Sequence, residues 1–518
     1  MTRTVPGPTD HVVVVGAGLS GLSAALHLLG AGRRVTIVER DDHPGGRAGR
    51  LDLEGPSGTY RVDTGPTVLT MPELLDEALS AVGDSLADRL DLIRLDPAYR
   101  ARFADGSTID VHTDGAAMEA EVRRACGPAA AAGYAKLRHW LTRLYDAEID
   151  RFIGANFDSP FDLLTPDLAR LAALGGFGRL GPKVARLVPD ERLQRIFSFQ
   201  ALYAGVPPHR ALGAYGVIAY MDTVAGVFFP RGGMRAVGRA LADAAVAAGA
   251  RIVYGRSVTG LERRAGRVTA VRHAGDKDGD TERLACDAVV LTPDLPVVHR
   301  LLGRRPHRAV ALRYSPSAVV LHAGTTRPRP EPAHHTISFG TAWERTFSEI
   351  IDQGRLMSDP SLLITRPTAS DPGLAPPDRD LLFVLAPCPN TDVAPLDWPR
   401  LGPAYRDELL AVLESRGFTG LSGDIEVSRL VTPADWAADG LAAGTPFSAA
   451  HTFAQTGPFR PRNLVRGLDN VVLAGCGTTP GVGIPPVLIS GRLAAERIAG
   501  THAAPRRPGR DRRVPTPA

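Results

Sequence analysis

Two hydrophobic rhythms alternate along the chain. Residues 12–15 are four consecutive valines, a continuous apolar run of strand length, and residues 22–29 form a small, apolar stretch of helical character. Gly16, Gly18 and Gly21 lie between and within them as G-x-G-x-x-G, so the predicted order is strand, tight turn, helix. A second strand is predicted over 34–38 and delivers Glu39. Much later, "FFPRGGMRAVGRALADAAVAAGARIVYGRSVTGLERRAGRVTAVRHAG" predicts a turn and an Ala-rich amphipathic helix over 235–248. It continues into short strands near 251–254, 257–263 and 267–273, and a further strand follows at 288–291. Near the far end, "LDNVVLAGCGTTPGVGIPPVLISGRLAAERI" predicts a strand over 471–474, a glycine-rich turn, and a helix from about residue 487.

The first of these units carries recognisable chemistry. Glycine at 16, 18 and 21 permits the turn, lets backbone approach a pyrophosphate and packs helix against strand, while the helix N-terminus offers N–H groups to phosphate. Glu39 falls at the spacing where a carboxylate accepts from a ribose hydroxyl. The class expected is α/β, with a Rossmann-like dinucleotide-binding domain assembled from discontinuous segments.

Residues 12–32 hold no Asp, Glu, Lys or Arg, long enough to imitate a membrane span, but five glycines, two serines and a histidine interrupt the run. The first eleven residues, MTRTVPGPTDH, lack the basic start and apolar core of a signal peptide. At 44% hydrophobic, 518 residues allow two or more domains with a sizeable core, as in a cytoplasmic enzyme. Cys126, Cys286, Cys388 and Cys476 are too dispersed for a disulfide framework, and no metal site is expected. A net charge of only +4 gives no support to a nucleic-acid partner. Basic residues concentrate only in the tail APRRPGRDRRVPTPA, expected to be disordered and solvated, with contact to anionic lipid as the alternative.

Gly45, Gly46 and Arg47 follow the ribose carboxylate, where a nicotinamide site needs nothing special. A stretched flavin dinucleotide leaves room for a second loop over its pyrophosphate, with glycines admitting the backbone and an arginine supplying charge-assisted donors. "ERDDHPGGR" followed by "VDTGPTVLT" (62–70) resembles the N-terminal signature of the FAD-dependent amine oxidase and carotenoid desaturase superfamily. Within it, most of the chain resembles the bacterial phytoene desaturase family. "FSFQALYAGVPP", "GVFFPRGGM", "AHHTISFG", "FVLAPCPN", "VTPADW", "FRPRN" and, most specifically, "GTTPGVGIPPVLISG" carry the likeness. Three departures are "LTPDLP" where Asn-Ala-Asp is common, Thr479 in place of a common histidine, and Pro486 in place of a common glycine.

The resemblance implies a noncovalent FAD domain from 1–75, 230–300 and 463–500, an inserted α+β substrate domain from 76–229 and 301–462, and the tail at 501–518. It implies cofactor contacts by Gly16, Gly18, Gly21, Glu39, Gly45, Gly46, Arg47, Gly65, Pro66 and Thr67. The backbone of Val258 would meet the adenine, and Gly475, Gly483, Ile484 and Pro485 would approach the ribityl chain and flavin ring. Seven of the chain's thirty aromatic residues fall in the thirty-three positions 197–229 and, as a group, are expected to line an apolar tunnel.

The activity implied is desaturation of phytoene, a C40 polyene, toward more conjugated carotenes such as lycopene, by hydride transfer to flavin N5 and loss of a proton. A hydrocarbon offers no group for a nucleophile or metal to grip, so positioning supplies most of the help and no catalytic side chain is assigned. His334 and His335, adjacent in a strand-like segment, are expected on opposite faces as structural histidines. Cys476 is expected to be a small packing residue. A redox-neutral carotenoid isomerase stays open as an alternative; a flavin amine oxidase and a non-catalytic prenyl-binding escort protein are disfavoured. The electron acceptor is open between a quinone and oxygen, and the oligomeric state is open. Because the substrate resides in lipid, peripheral docking on the inner face of the cell membrane is expected through 161–229, with Arg170, Arg179, Lys183 and Arg186 toward headgroups.

Overall fold

The computed structural model describes residues 3–275, 280–304 and 311–500; the basic tail lies outside the described residues. Its centre is a five-stranded sheet in the order Val471–Leu473, Ala288–Leu291, His11–Val15, Arg34–Val38, Arg251–Val253, with every pair parallel. The strands thus come from three separated stretches of chain. Both faces are covered, which is why the central strand reads as an unbroken valine run. Val12 and Val14 pack among the helices with Leu22 and Leu26, whereas Val13 and Val15 pack on the other side with Val268 and Val271. That second cover is an antiparallel three-stranded sheet, Arg256–Arg264, Arg267–Gly275 and Thr281–Ala285.

Two helices start earlier than the hydrophobic pattern indicates. The first is Leu19–Gly30, because Gly18, in extended conformation, is its N-cap. The last is Ile484–Ala499, with prolines in its first turn, where a missing N–H leaves no intrahelical bond unmade. The two helices pack so closely that a Cβ on Gly491 would lie 2.4 Å from the carbonyl oxygen of Ser20, and Ser23 Oγ donates to Leu488 O (2.7 Å).

A mixed seven-stranded sheet forms the second layer, in the order Ile425–Val431, Ser317–Thr325, Asp380–Cys388, Leu362–Thr365, His335–Ser338, Tyr99–Arg102, Thr108–Val111. Its only parallel pair joins His335–Ser338 to Tyr99–Arg102, so two stretches more than two hundred residues apart share one sheet. Helices and short turns from 115–225 share one hydrophobic core with its Tyr99, Ile109, Val111 and Ile337. No helix among the described residues is long and apolar enough to cross a membrane.

Candidate flavin cradle and apolar cavity

The dinucleotide turn is built by steric exclusion. Gly16 has φ +103°, and a Cβ there would meet Thr292 Oγ1 at 2.4 Å; a Cβ on Gly21 would lie 2.1 Å from Gly16 O. Gly45 forms a parallel bridge with Gly18 and donates its N–H to Ala17 O (2.9 Å), so the second glycine loop lies against the first. A Cβ on Gly46 would come within 3.0 Å of Gly18 Cα, and one on Gly65 within 1.9 Å of Arg47 O. Backbone meets backbone three times here, and only glycine allows it.

Glu39 ends the second strand nearly buried, and its carboxylate accepts from Ala17 N (2.5 Å) and Asp41 N (2.9 Å). Burial pushes its pKa up, opposed by those two N–H groups. Glu39 N donates to Val253 O and Arg256 N donates to Glu39 O, which brings the neighbourhood of Val258 to the same edge. Val258 stands at a register shift in the Arg256–Arg264 ladder, where bulging frees backbone groups from their strand partners.

Arg47 points inward to Asp294 (2.9 Å) and Pro446 O (3.0 Å), tying the second loop to the middle of the chain. Asp294 belongs to "LTPDLP", one of the departures from the family pattern, and nothing in the sequence marks it as the partner of Arg47. Pro66 and Thr67 follow Gly65 along the same wall, with Thr67 buried. Asp63, just before them, accepts from Met234 N (2.7 Å) and Arg235 N (3.0 Å) at the start of the Arg235–Ala247 helix; burial raises its pKa to about 6.

At the opposite end Gly475, at φ +104°, donates its N–H to Ser490 Oγ (3.0 Å). Gly483 has φ +117° and caps the last helix with no side-chain acceptor, beside buried Ile484 and Pro485. Arg460, fully buried, holds this turn by donating to Thr478 O, Cys476 O and Ala449 O. Only the "FRPRN" likeness had hinted at it. Cys476 is a free, half-buried thiol. Two helix N-termini without side-chain caps, a carboxylate at the end of the second strand and a glycine-lined double loop fit a dinucleotide flavin.

A cavity with about 840 Å³ of space between atoms, part of it open to solvent, is lined by Phe447, next to the Pro446 carbonyl that accepts from Arg47, and by Leu363 on the strand whose Thr365 meets Thr67. Phe199, Tyr203, Ile337, Phe339, Trp343 and Met357 are among its walls, and no charged side chain lines it. The aromatic group of 197–229 divides. Phe199 and Tyr203 line this cavity, but Phe197 packs on Tyr134, Tyr220 stacks on Tyr145, and Tyr215 donates to His451 O, so most of the group is core. Sequence clustering had blurred two environments that helix and turn geometry separates.

His334 and His335 also depart from expectation. The strand begins at His335, so His334 escapes the pleat alternation; both rings are buried and meet edge to face at 4.5 Å. Their partners are side chains, Ser370 Oγ for His334 and Thr365 Oγ1 for His335.

The model for the family described as flavin containing amine oxidoreductase matches residues 19–499, and the chain belongs to that family. Within it the chain belongs with the phytoene desaturases. It is 68% identical over 503 residues, 97% of each chain, to the phytoene dehydrogenase of Streptomyces griseus. It is 37% identical to the zeta-carotene-forming phytoene desaturase of Myxococcus xanthus, over 94% of this chain and 93% of that one. Among solved structures, the cyclohexylamine oxidase of Brevibacterium oxydans shares the fold at a TM-score of 0.57 and 16% identity, covering 95% of this chain and 99% of the other. FAD is the cofactor, and the enzyme is a flavin-dependent oxidoreductase.

Proposed function

We propose that this chain desaturates phytoene in carotenoid biosynthesis, converting CH–CH units of the C40 chain to double bonds. The observation that carries the reading is the uncharged wall of the cavity beside the cradle: it suits a hydrocarbon and supplies no carboxylate for a cationic amine. When bound, FAD supplies the two-electron oxidant. Glu39, the glycine loops and the two helix N-termini hold it, and Arg47 and Arg460 fix the loops that border it. Phe199, Phe339 and Trp343 position the polyene and exclude water from the reacting carbons. Such a wall distinguishes poorly between polyenes that differ by one double bond, because apolar discrimination is worth only about 1–3 kcal/mol. Partly desaturated product therefore re-enters, which supports several steps toward lycopene; the Myxococcus relative's name marks zeta-carotene as the competing end point. Anaerobic incubation of FAD-loaded protein with phytoene in liposomes tests this. Flavin bleaching with new polyene absorption is expected, and an unbleached flavin would overturn the reading.

The same reading supports peripheral membrane docking at the inner face of the cell membrane. Removing a hydrocarbon into water costs about 0.8 kcal/mol per CH₂, whereas passage from lipid tails into an apolar cavity costs little. Phe161 and Leu164 are 78% and 68% exposed on the segment expected to face lipid, and Phe177 is exposed nearby. Of the four basic residues there, Arg170 pairs with Asp167, Arg179 donates to Arg210 O and Lys183 sits over the Trp140 ring. Arg186 stays exposed, and Phe161 and Leu164 present apolar tips in the same segment, so the tips serve as anchors with Arg186 toward headgroups. Flotation with anionic liposomes at low salt is the check, and a Phe161→Asp, Leu164→Asp variant should stay in the soluble fraction.

A further inference from the structure

Oxidation of a CH–CH unit releases a hydride and a proton, and the cavity's uncharged lining offers no evident acceptor for the proton. Immediately behind that lining the fold buries a carboxylic acid. Asp222 lies in the π-helical turn Met221–Ala225, is 4% exposed, and its Oδ2 has no hydrogen-bond partner among the described residues. The Tyr99 hydroxyl, equally buried and without a partner of regular geometry, faces both Asp222 and Tyr203. Tyr203 itself lines the cavity, its ring edge-on to Phe199 (5.8 Å), and Phe199 is in turn edge-on to Tyr99 (6.1 Å).

The other side of this cluster reaches the cofactor wall. Tyr99 lies against His335 (5.5 Å between ring centroids), His335 Nδ1 is 3.0 Å from Thr365 Oγ1, and Thr365 Oγ1 donates to Thr67 Oγ1 (3.1 Å). Phe228 N, six residues beyond Asp222, donates to Leu69 O on the same segment. One buried carboxyl therefore stands between the hydrocarbon cavity and the loop that borders the flavin.

We propose that Asp222 accepts the proton in the desaturation, with Tyr99 and Tyr203 positioning its carboxylate at the inner wall of the cavity. The inference rests on the desaturase reading above. The hydride leaves one carbon with its electron pair for the oxidised cofactor. The C–H pair on the neighbouring carbon becomes the new π bond, and its proton passes to Asp222. Product exit returns that proton to solvent, and the cofactor's two electrons pass on to an acceptor of the quinone or dioxygen class. Burial raises the Asp222 carboxyl to about 7, against a lowering contribution from Tyr99, which suits a base working near neutral pH. The nearby histidines are poorer acceptors. Burial, with Arg366, holds His334 down to about 3, and burial beside His334 holds His335 well below its ordinary value. Tyr99 and Tyr203 are pushed up by burial and the Asp222 charge, so both stay protonated, Tyr99 beside the carboxylate and Tyr203 against Tyr99.

Four measurements on the FAD-loaded protein test this. In wild type, anaerobic flavin bleaching by phytoene should rise with pH through about neutral, since only the ionised carboxylate accepts. Asp222→Asn should slow bleaching by about 100-fold or more at unchanged FAD content, and Asp222→Glu should restore part of the rate. Tyr99→Phe should move the pH midpoint upward, a readout that does not depend on the Asn variant folding. Bleaching by Asp222→Asn at nearly the wild-type rate with the same pH profile, or an unmoved midpoint in Tyr99→Phe, would overturn the proposal. An infrared titration of the resting holoprotein, without substrate, should show a protonated-carboxyl band lost across neutral pH in the wild-type-minus-Asp222→Asn difference, over the band that Asp63 contributes to both; a difference spectrum without such a band would also overturn it. A wild-type enzyme that never bleaches, yet shows this band, would instead refute the desaturase reading.

Discussion

Around the dinucleotide turns, buried charge is matched. Glu39 takes two backbone N–H groups, Arg47 meets Asp294, Asp63 caps a helix, and Arg460 spends its guanidinium on three carbonyls. Behind the cavity wall matching is sparser, because the Asp222 carboxylate has only the Tyr99 hydroxyl beside it and the Nε2 atoms of His334 and His335 are buried without hydrogen-bond partners among the described residues. Unsatisfied buried polar atoms are costly, and a native fold keeps few of them without a use. The matched region holds a ligand through backbone shape. The other, on the proposal above, holds a base behind an apolar lining.

The comparison breaks most visibly where backbone meets backbone. Gly65→Val should abolish recovery of flavin-bound protein, because even a Cβ would sit 1.9 Å from Arg47 O; normal flavin content in the purified variant would show that the two loops can separate. Arg460→Leu leaves the Cys476 and Thr478 carbonyls of the glycine-rich turn, and that of Ala449, without their donor. A loss of about 3–5 kcal/mol is expected in denaturant unfolding of the holoprotein, and less than about 1 kcal/mol would contradict the bracing role.

Removing charge from the sparsely matched region should have the opposite sign. The folded pKa of Asp222, about 7, exceeds the usual value of an unfolded aspartate, so its stability contribution is complete at low pH and is lost as pH rises toward and through 7. Asp222→Asn should therefore be more stable than wild type at pH 8, by about 2–4 kcal/mol, and the gain should vanish near pH 4. A variant less stable than wild type at pH 8 would place Asp222 among the matched groups. Glu39→Ala should weaken FAD binding about 10–100-fold, measured by fluorescence titration of apoprotein, with little effect on the pH profile of bleaching. Smallest of all, His334→Ala, His335→Ala and Cys476→Ala should each leave measurable desaturation in protein that retains FAD. Total loss at either histidine would move the proton acceptor away from Asp222.

Much of the cradle was legible in the chain because its requirements are local. Valines buried on both faces, glycines at fixed spacing and Glu39 one strand later express constraints that act within about thirty residues, and each occupies the place its motif implies. The second glycine loop was legible for the same reason. Arg47 was visible as a cation, but its partner Asp294 lies 247 residues away and carries no mark of the pairing. The aromatic stretch 197–229 shows the limit in another form: composition reports that rings must be buried, and only packing decides which of them face a cavity.

Amino-acid order by itself determined the strand–turn–helix units, their glycine turns and the cofactor class, since period, propensity and steric allowance are properties of neighbouring residues. Tertiary structure alone decided that Tyr99, Tyr203, Asp222 and His335 meet between the cavity and the flavin wall. Those four arrive on a strand, a 3₁₀ turn, a π turn and a second strand, and their shared apolar environment comes into being only when the layers close and exclude water.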